Sequence, residues 1–263
     1  MTAGGDRVEA WVVYPERKDR APVVIVIHEI FGLTDWARAV ADQLAAEGFI
    51  AAAPDFLSGK GPNGGGTSSL DPDAARQINA GLDPAEVMRR LDATTAYAAR
   101  LPAATGRFGV VGYCWGGGMS FLYAAEQPNL GAAVVYYGVS PAVSALARVR
   151  APVLGLYGGE DARVNATIPA AQEQLKRLGR RYEVEIYKGA GHAFLRQLDG
   201  RDGANLRAAQ KAWPRMVRFL RETLDDRLSR AETQALPAAF GGNGSECFCE
   251  EPPTRGLAVS ALE

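Results

Sequence analysis

Short runs of strand-forming residues recur along the chain at residues 23–27, 49–53, 108–111, 132–137, 153–157 and 182–187, most of them nearly uninterrupted in apolar character. They are rich in β-branched residues and bounded by Gly, Pro and charged positions, as expected for parallel strands buried on both faces. Residues 8–13 alternate instead and fit an antiparallel edge strand. Between the runs the period changes. Trp36, Val40 and Leu44 recur at four-residue spacing behind a capping Thr34 or Asp35, and Gly48 closes that segment. Asp83-Pro84-Ala85-Glu86 opens a second helix with a capping Asp, Pro at the first helical position and Glu three residues beyond the cap. Residues 206–228 place Trp213, Val217, Leu220 and Leu224 on one stripe. Pro214 falls inside that stripe and predicts a kink or two abutting helices. Strands alternating with helices predict an α/β fold with a single doubly wound, mostly parallel sheet and helices on both faces.

Two segments break the pattern. Residues 58–69 (SGKGPNGGGTSS) are too Gly-rich for a regular element and read as a long mobile loop. From about residue 231 periodicity stops, so the chain divides into a domain over 1–230 and a peripheral or disordered tail over 231–263. No internal repeat is found.

Composition narrows the function classes. Of 263 residues 29 are basic and 30 acidic, a balance that gives no electrostatic footprint for nucleic acid or an anionic membrane. No apolar stretch approaches the ~20 residues of a membrane span. The N-terminus has neither a basic nor an apolar leader region, so a cytoplasmic location is expected. The three cysteines, Cys114, Cys247 and Cys249, do not describe a disulfide framework. With only His28 and His192 present, a neutral-pH base has few candidates.

The chemistry concentrates at strand ends. Gly112-Tyr113-Cys114-Trp115-Gly116 joins the strand 108–111 to a helical run at 119–126, the strand–turn–helix context of a nucleophile elbow with cysteine at its tip. Unpaired N–H groups at the helix start favour a thiolate and a developing oxyanion. Without the flanking glycines a buried core cysteine is the plainer reading. Asp161 follows the strand 153–157 and His192 follows 182–187, both where open α/β sheets place their sites. His192 is a candidate base and Asp161 its orienter. Singly, Asp161 also reads as a helix cap with Glu160 as a rival, and His192 as a solvated loop residue. The order Cys, Asp, His is that of α/β-hydrolases. Glu29 follows an apolar strand, so it faces a cleft or a partner, or else lies exposed beside Arg38.

These residues sit in stretches that resemble the dienelactone hydrolase family. The likeness runs from about residue 8 to 224. It rests on His28-Glu29-Ile30-Phe31-Gly32, Ala53-Pro54-Asp55, Val111-Gly112-Tyr113-Cys114-Trp115-Gly116-Gly117, Tyr136-Tyr137-Gly138, Gly158-Gly159-Glu160-Asp161 and Gly191-His192-Ala193-Phe194. The resemblance implies an α/β-hydrolase fold and a thioester route through Cys114, Asp161 and His192. It implies that Glu29 takes part in ionising a weakly nucleophilic thiol, and that Ile30 and Trp115 N–H groups form the oxyanion hole. It further implies that Arg196 binds a substrate carboxylate, with Arg76 an approximate second arginine and Tyr137 beside the substrate.

Other motifs fail on spacing. His28-Glu29 lacks the second histidine of a zinc protease, because Gly32 stands there. Residues 112–118 lack the dinucleotide Gly pattern, Gly64-Gly65-Gly66 lacks the rest of a phosphate loop, and Tyr113-Cys114-Trp115 lacks the order of papain-like proteases. No metal and no cofactor is expected, and Cys247-Phe248-Cys249 reads as an inert tail. The expectation is an enzyme, a monomer or small homo-oligomer, acting on a small-molecule ester or lactone, carboxylate-bearing where Arg196 anchors it. A broad-specificity carboxylesterase and a non-catalytic binding protein of the same fold are the alternatives.

Overall fold

Strands sandwiched between helix layers need apolar side chains on both faces, and the runs that meet this condition all enter one sheet. A computed structural model describes residues 1–3 and 5–224. The strands are β1 Thr2–Ala3, β2 Asp6–Arg7, β3 Ala10–Val13, β4 Ala21–Ile27, β5 Ile50–Pro54, β6 Ala104–Tyr113, β7 Ala133–Tyr136, β8 Val153–Gly158 and β9 Tyr182–Tyr187. The helices are α1 Asp35–Ala46, α2 Pro72–Ala80, α3 Pro84–Ala99, α4 Trp115–Glu126, α5 Val143–Leu146, α6 Ala162–Asn165, α7 Ile168–Arg177 and α8 Ala204–Leu224. β1 pairs with β2 alone, while the other seven strands form one sheet in the order β3-β5-β4-β6-β7-β8-β9. β3 runs antiparallel to β5, and every other pairing in this sheet is parallel. This is the expected doubly wound sheet with its antiparallel edge. The expected boundary near residue 230, with Cys247 and Cys249 beyond it, lies outside the described residues.

The pleat decides which helix covers which face. Val24, Val26, Ala51, Ala53, Val111, Val134, Leu154 and Leu156 pack with buried residues of α1 and α8. Their neighbours Val23, Ile25, Ile50, Ala52, Val110, Val135 and Val153 pack with α3, α4 and α7. β9 departs from the buried-strand pattern: it is the edge strand, half-buried along its length, with Ile186 exposed.

The capping signals act as their chemistry requires, with two exceptions. Gly48 (φ +95°) ends α1 as its N–H bonds Ala45 O and the Phe49 N–H bonds Leu44 O, closing the last turn through a left-handed residue. Thr34 occupies the cap position of α1 without a side-chain bond. Asp83 caps α3 through the Ala85 N–H, but Glu86 turns away from the cap to pair with Lys60 and Arg90. The pattern reading assigns no helix to α2, although Asp71-Pro72 repeats the same start signal and Asp71 accepts from Asp73 and Ala74 N–H. α8 remains one helix through Pro214, because a long buried face holds both halves against the sheet. Residues 225–228 of the expected helix lie outside the described residues.

The Gly-rich segment is anchored, contrary to the mobile loop expected. Two short 3-10 turns, Pro62–Gly64 and Thr67–Ser69, fold it back on the end of β5. There the buried Asp55 carboxylate accepts Leu57 N–H (2.9 Å), Thr67 N–H (2.7 Å) and Thr67 Oγ1–H (2.7 Å). Thr67 Oγ1 in turn accepts the Leu33 N–H at 2.9 Å. Hydrogen bonds to a buried charge are the strong kind. Asp55→Ala is therefore expected to lower unfolding stability by about 3 kcal/mol and to open residues 58–69 to limited proteolysis. Urea unfolding and protease mapping check this, and an unchanged midpoint with an intact loop would refute the anchor.

Candidate active site

A single residue separates the end of β6 from the start of α4, and that residue is Cys114. Its backbone sits at φ 57°, ψ −116°, a conformation L-residues avoid and folded proteins hold only where neighbours enforce it. The enforcement is backbone against backbone. A Cβ on Gly116 would stand 2.4 Å from the carbonyl oxygens of both Ile27 and His28, and one on Gly138 would stand 2.3 Å from Gly117 C and Gly118 N. The start of α4 is thus pressed onto the ends of β4 and β7. Cys114 N–H donates to Tyr136 O at 3.1 Å, and Gly118 N–H donates to Cys114 O at 3.2 Å.

The thiol opens into a cleft of about 360 Å³ that Glu29, Ile30, Phe31, His192 and Arg196 also line. His192 arrives from the loop after β9, and its Nδ1 lies 2.5 Å from Oδ2 of Asp161, just beyond the end of β8. A carboxylate acceptor there keeps the proton on Nδ1 and leaves Nε2 as the basic nitrogen. Asp161 is buried, holds the cap position of α6 and at the same time meets His192. Glu160, the rival acid, is exposed. No direct hydrogen bond among the described residues joins the thiol to His192; the Trp115 N–H meets the thiol instead. The Ile30 N–H lacks a partner among the described residues.

Glu29 is buried and pairs with Arg196 rather than lying beside Arg38: Arg196 Nε donates to Oε2 at 2.6 Å. The acidic residues nearest to Arg196 in sequence, Asp199 and Asp202, are not its partners. Its guanidinium also lies 5.4 Å over the Phe31 ring. Burial pushes the Glu29 carboxyl above the ordinary carboxylate range, against the opposing pull of Arg196. The thiol of Cys114 is pushed up to about 11 by burial and then by the Glu29 charge, while the Trp115 N–H, Arg163 and Arg196 act the other way. The helix-start donors are therefore outweighed in the resting protein.

Two expected substrate contacts fall elsewhere. Arg76 is exposed on α2, pairs with Asp73 and is absent from the cleft wall. Tyr137 is fully buried behind the cleft, with φ 39°, its ring 5.2 Å edge-on to His192. Its hydroxyl is turned toward the Glu29 carboxylate and favours its charge, yet neither that hydroxyl nor Glu29 Oε1 completes a hydrogen bond of regular geometry. Sequence reasoning does not reach Arg201 or Asn205 on the cleft wall. Asn205 accepts the Gly191 N–H (2.9 Å) and donates to Gln197 O (2.7 Å), bracing the His192 loop. The one available signal is a buried polar residue at the start of an amphipathic helix. Among the described residues no group of three or more His, Cys, Asp or Glu side chains is placed to hold a metal, and no helix is long and apolar enough to cross a membrane.

The electrostatics of the thiol are directly testable. A negative neighbour disfavours the thiolate, so Glu29→Gln should move the Cys114 titration below that of the unaltered protein. The pH dependence of iodoacetamide alkylation measures this. A titration that stays put or moves upward in the variant would contradict the assigned geometry.

The chain matches the profile of the Dienelactone hydrolase family over residues 8–224. A Salmonella typhimurium protein named "Putative carboxymethylenebutenolidase" is 34% identical over 228 residues, covering 82% of this chain and 83% of its own. A Saccharolobus solfataricus protein of the same name is 32% identical over 248 residues, covering 82% and 95%. A crystal structure from Klebsiella pneumoniae, described as a "Putative Dienelactone Hydrolase", superposes with a TM-score of 0.71 at 31% identity, covering 82% of this chain and 93% of its own. The sheet order, the elbow and this likeness agree, and the chain belongs to the dienelactone hydrolase family, with the α/β-hydrolase fold and a hydrolase activity of lactone or ester type.

Proposed function

We propose that the protein hydrolyses lactones or carboxylic esters through a thioester on Cys114. The observation that carries this reading is the enforced elbow, which aims a thiol into the same cleft as the His192–Asp161 pair. His192 Nε2 takes the thiol proton as Sγ attacks the ester carbonyl carbon. The oxyanion is met by the N–H groups of Ile30 and Trp115. Collapse breaks the bond to the alkoxy oxygen, which takes the proton from His192; in a lactone that oxygen stays on the acyl chain. Water then gives a proton to His192 and attacks the thioester carbon; collapse expels Sγ, which takes that proton back from His192 as the acid is released. Asp161 holds the imidazole tautomer throughout. Glu29 takes part through its charge, which adds to burial in keeping the thiol protonated at rest. Tyr137 supports His192 and Glu29 from behind, and Arg76 has no role in this scheme.

The substrate is a small molecule, and Arg196 favours one that carries a carboxylate. Only its Nε is occupied by Glu29, so the two Nη groups remain for a bidentate contact. A less discriminating carboxylesterase is the second reading, favoured by the same ion pair, since Glu29 already offsets the arginine charge. A non-catalytic role fits poorly with a strained nucleophile facing a poised histidine.

Cys114→Ala is expected to abolish turnover of p-nitrophenyl esters in a folded protein, and acid-quenched unaltered enzyme should show an acyl adduct on Cys114 by mass spectrometry. Alanine at both Cys247 and Cys249 should leave turnover unchanged. His192→Ala should slow turnover by at least about a hundredfold, with Asp161→Asn the milder lesion. Near-normal turnover by Cys114→Ala would end the cysteine mechanism.

Arg196→Ala separates the two substrate readings. Recognition of a carboxylate predicts a selective fall in kcat/KM of roughly one to two decades for a carboxylate-bearing ester relative to its neutral analogue. Equal effects on both esters would favour the carboxylesterase.

A further inference from the structure

The Glu29 carbonyl and the Ile30 N–H belong to one planar amide and point in opposite directions. Whatever fixes that carbonyl therefore aims that N–H. His28 does so from inside the protein. Its Nδ1 lies 2.7 Å from Glu29 O, and its Nε2 accepts the Phe56 N–H at 3.2 Å. The second contact decides the tautomer: Nε2 supplies a lone pair, so the proton is on Nδ1 and is donated to the carbonyl. Gly32 N–H reaches the same oxygen at 3.4 Å, a longer and weaker contact. The His28 ring is fully buried and absent from the cleft wall. It stacks on Trp115 (5.7 Å, 22°) and meets Phe56 edge-on (5.1 Å, 71°). One ring thus meets both the peptide that carries the Ile30 N–H, through the Glu29 carbonyl, and the side chain of Trp115.

We propose that His28 is a positioning residue for the oxyanion hole: its neutral, Nδ1-protonated ring holds the 29–30 amide so that the Ile30 N–H faces the cleft, without touching substrate. Donation to the carbonyl also polarises the amide and strengthens the N–H at its far end. Burial lowers the proton affinity of the ring against the opposing pull of Asp55 and the nearby carbonyls. That keeps the Nε2 lone pair available to Phe56. The inference rests on the proposed thioester route, in which the Ile30 N–H meets the oxyanion.

The test compares His28→Phe with His28→Gln. Phenylalanine keeps the stacking volume and loses both nitrogens, whereas glutamine retains an amide donor and a carbonyl acceptor. The readouts are kcat and KM, and the infrared carbonyl stretch of the acyl-enzyme formed from a carbonyl-labelled cinnamoyl ester. Outright loss of an oxyanion donor costs about 10²–10³ in kcat. A misaimed donor in His28→Phe should cost at least about tenfold in kcat with KM nearly unchanged, and should move the stretch to higher wavenumber. His28→Gln should recover most of both. If the phenylalanine variant does not fold, His28→Met provides the same comparison. A folded nitrogen-free variant with the unaltered stretch and kcat overturns the inference. So does equal impairment of the phenylalanine and glutamine variants with no shift in stretch, which would make the ring packing alone. Absence of any Cys114 thioester in the unaltered enzyme would instead overturn the thioester route, and this inference with it.

Discussion

The structure turns on one junction, the single residue between β6 and α4. A strand and a helix joined by one residue leave no room for side chains at the points of contact, and Cys114 is forced to a positive φ that costs on the order of 1–3 kcal/mol. The backbone contacts of Gly116 with the end of β4 and of Gly138 with the first turn of α4 leave the chain no relaxed alternative. The same contacts bring β4, β6 and β7 together at their C-terminal ends, and the loops that follow β4, β8 and β9 supply Glu29, Asp161 and His192. The strain is local; its consequence is the convergence of residues far apart in sequence on one cleft.

Much of this arrangement is legible in the amino-acid sequence. Strands buried on both faces must be apolar at successive positions, so β4, β5, β7 and β8 stand out from their neighbours. The glycines around Cys114 mark a contact that tolerates no side chain, and Asp-Pro marks the start of α3. Less legible are elements whose polar residues face solvent. β6 extends back to Ala104 through exposed positions, which carry no apolar signal. β9 alternates Glu with apolar residues because it closes the sheet edge. α2 is lost in a polar stretch despite its capping aspartate.

Long-range polar pairing is the least legible level. Glu29 and Arg196 lie 167 positions apart, and nothing in either local pattern names the other. Local patterns offer Arg38 to Glu29, and Asp199 or Asp202 to Arg196, and the fold chooses otherwise. The Gly-rich loop is a similar case: composition argues for freedom, but a buried carboxylate at Asp55 must be satisfied, and Thr67 is the group within reach. Arg76 illustrates the converse, since α2 leaves it exposed and outside the cleft, beside Asp73 on the same helix. Burial and pairing together decide these cases, and both are properties of the folded chain.

The resting electrostatics then constrain the chemistry. Two features of the elbow favour a thiolate, the Trp115 N–H and the start of α4. Two oppose it, burial and the Glu29 charge, and these prevail, pushing the thiol up to about 11. At pH 7 such a group leaves about one molecule in 10⁴ ionised, too few for a permanently armed nucleophile. It is also poorly reactive toward oxidants, which consume thiolates. On the proposed route the proton must therefore leave as the ester arrives, and the base must stand where the ester binds. His192 fits that requirement because its Nδ1 is committed to Asp161 while Nε2 stays open to the cleft. Glu29 fits it differently. Its charge adds to burial in holding the thiol protonated, and its own ionisation is favoured by the Arg196 guanidinium, the group a substrate carboxylate would contact on the proposed reading. A second anion at Arg196 weakens that support and makes Glu29 more basic. On the proposed reading of Arg196, substrate charge, carboxyl and thiol thus form one coupled system, in which an anionic substrate would alter the proton balance around Cys114 as it binds.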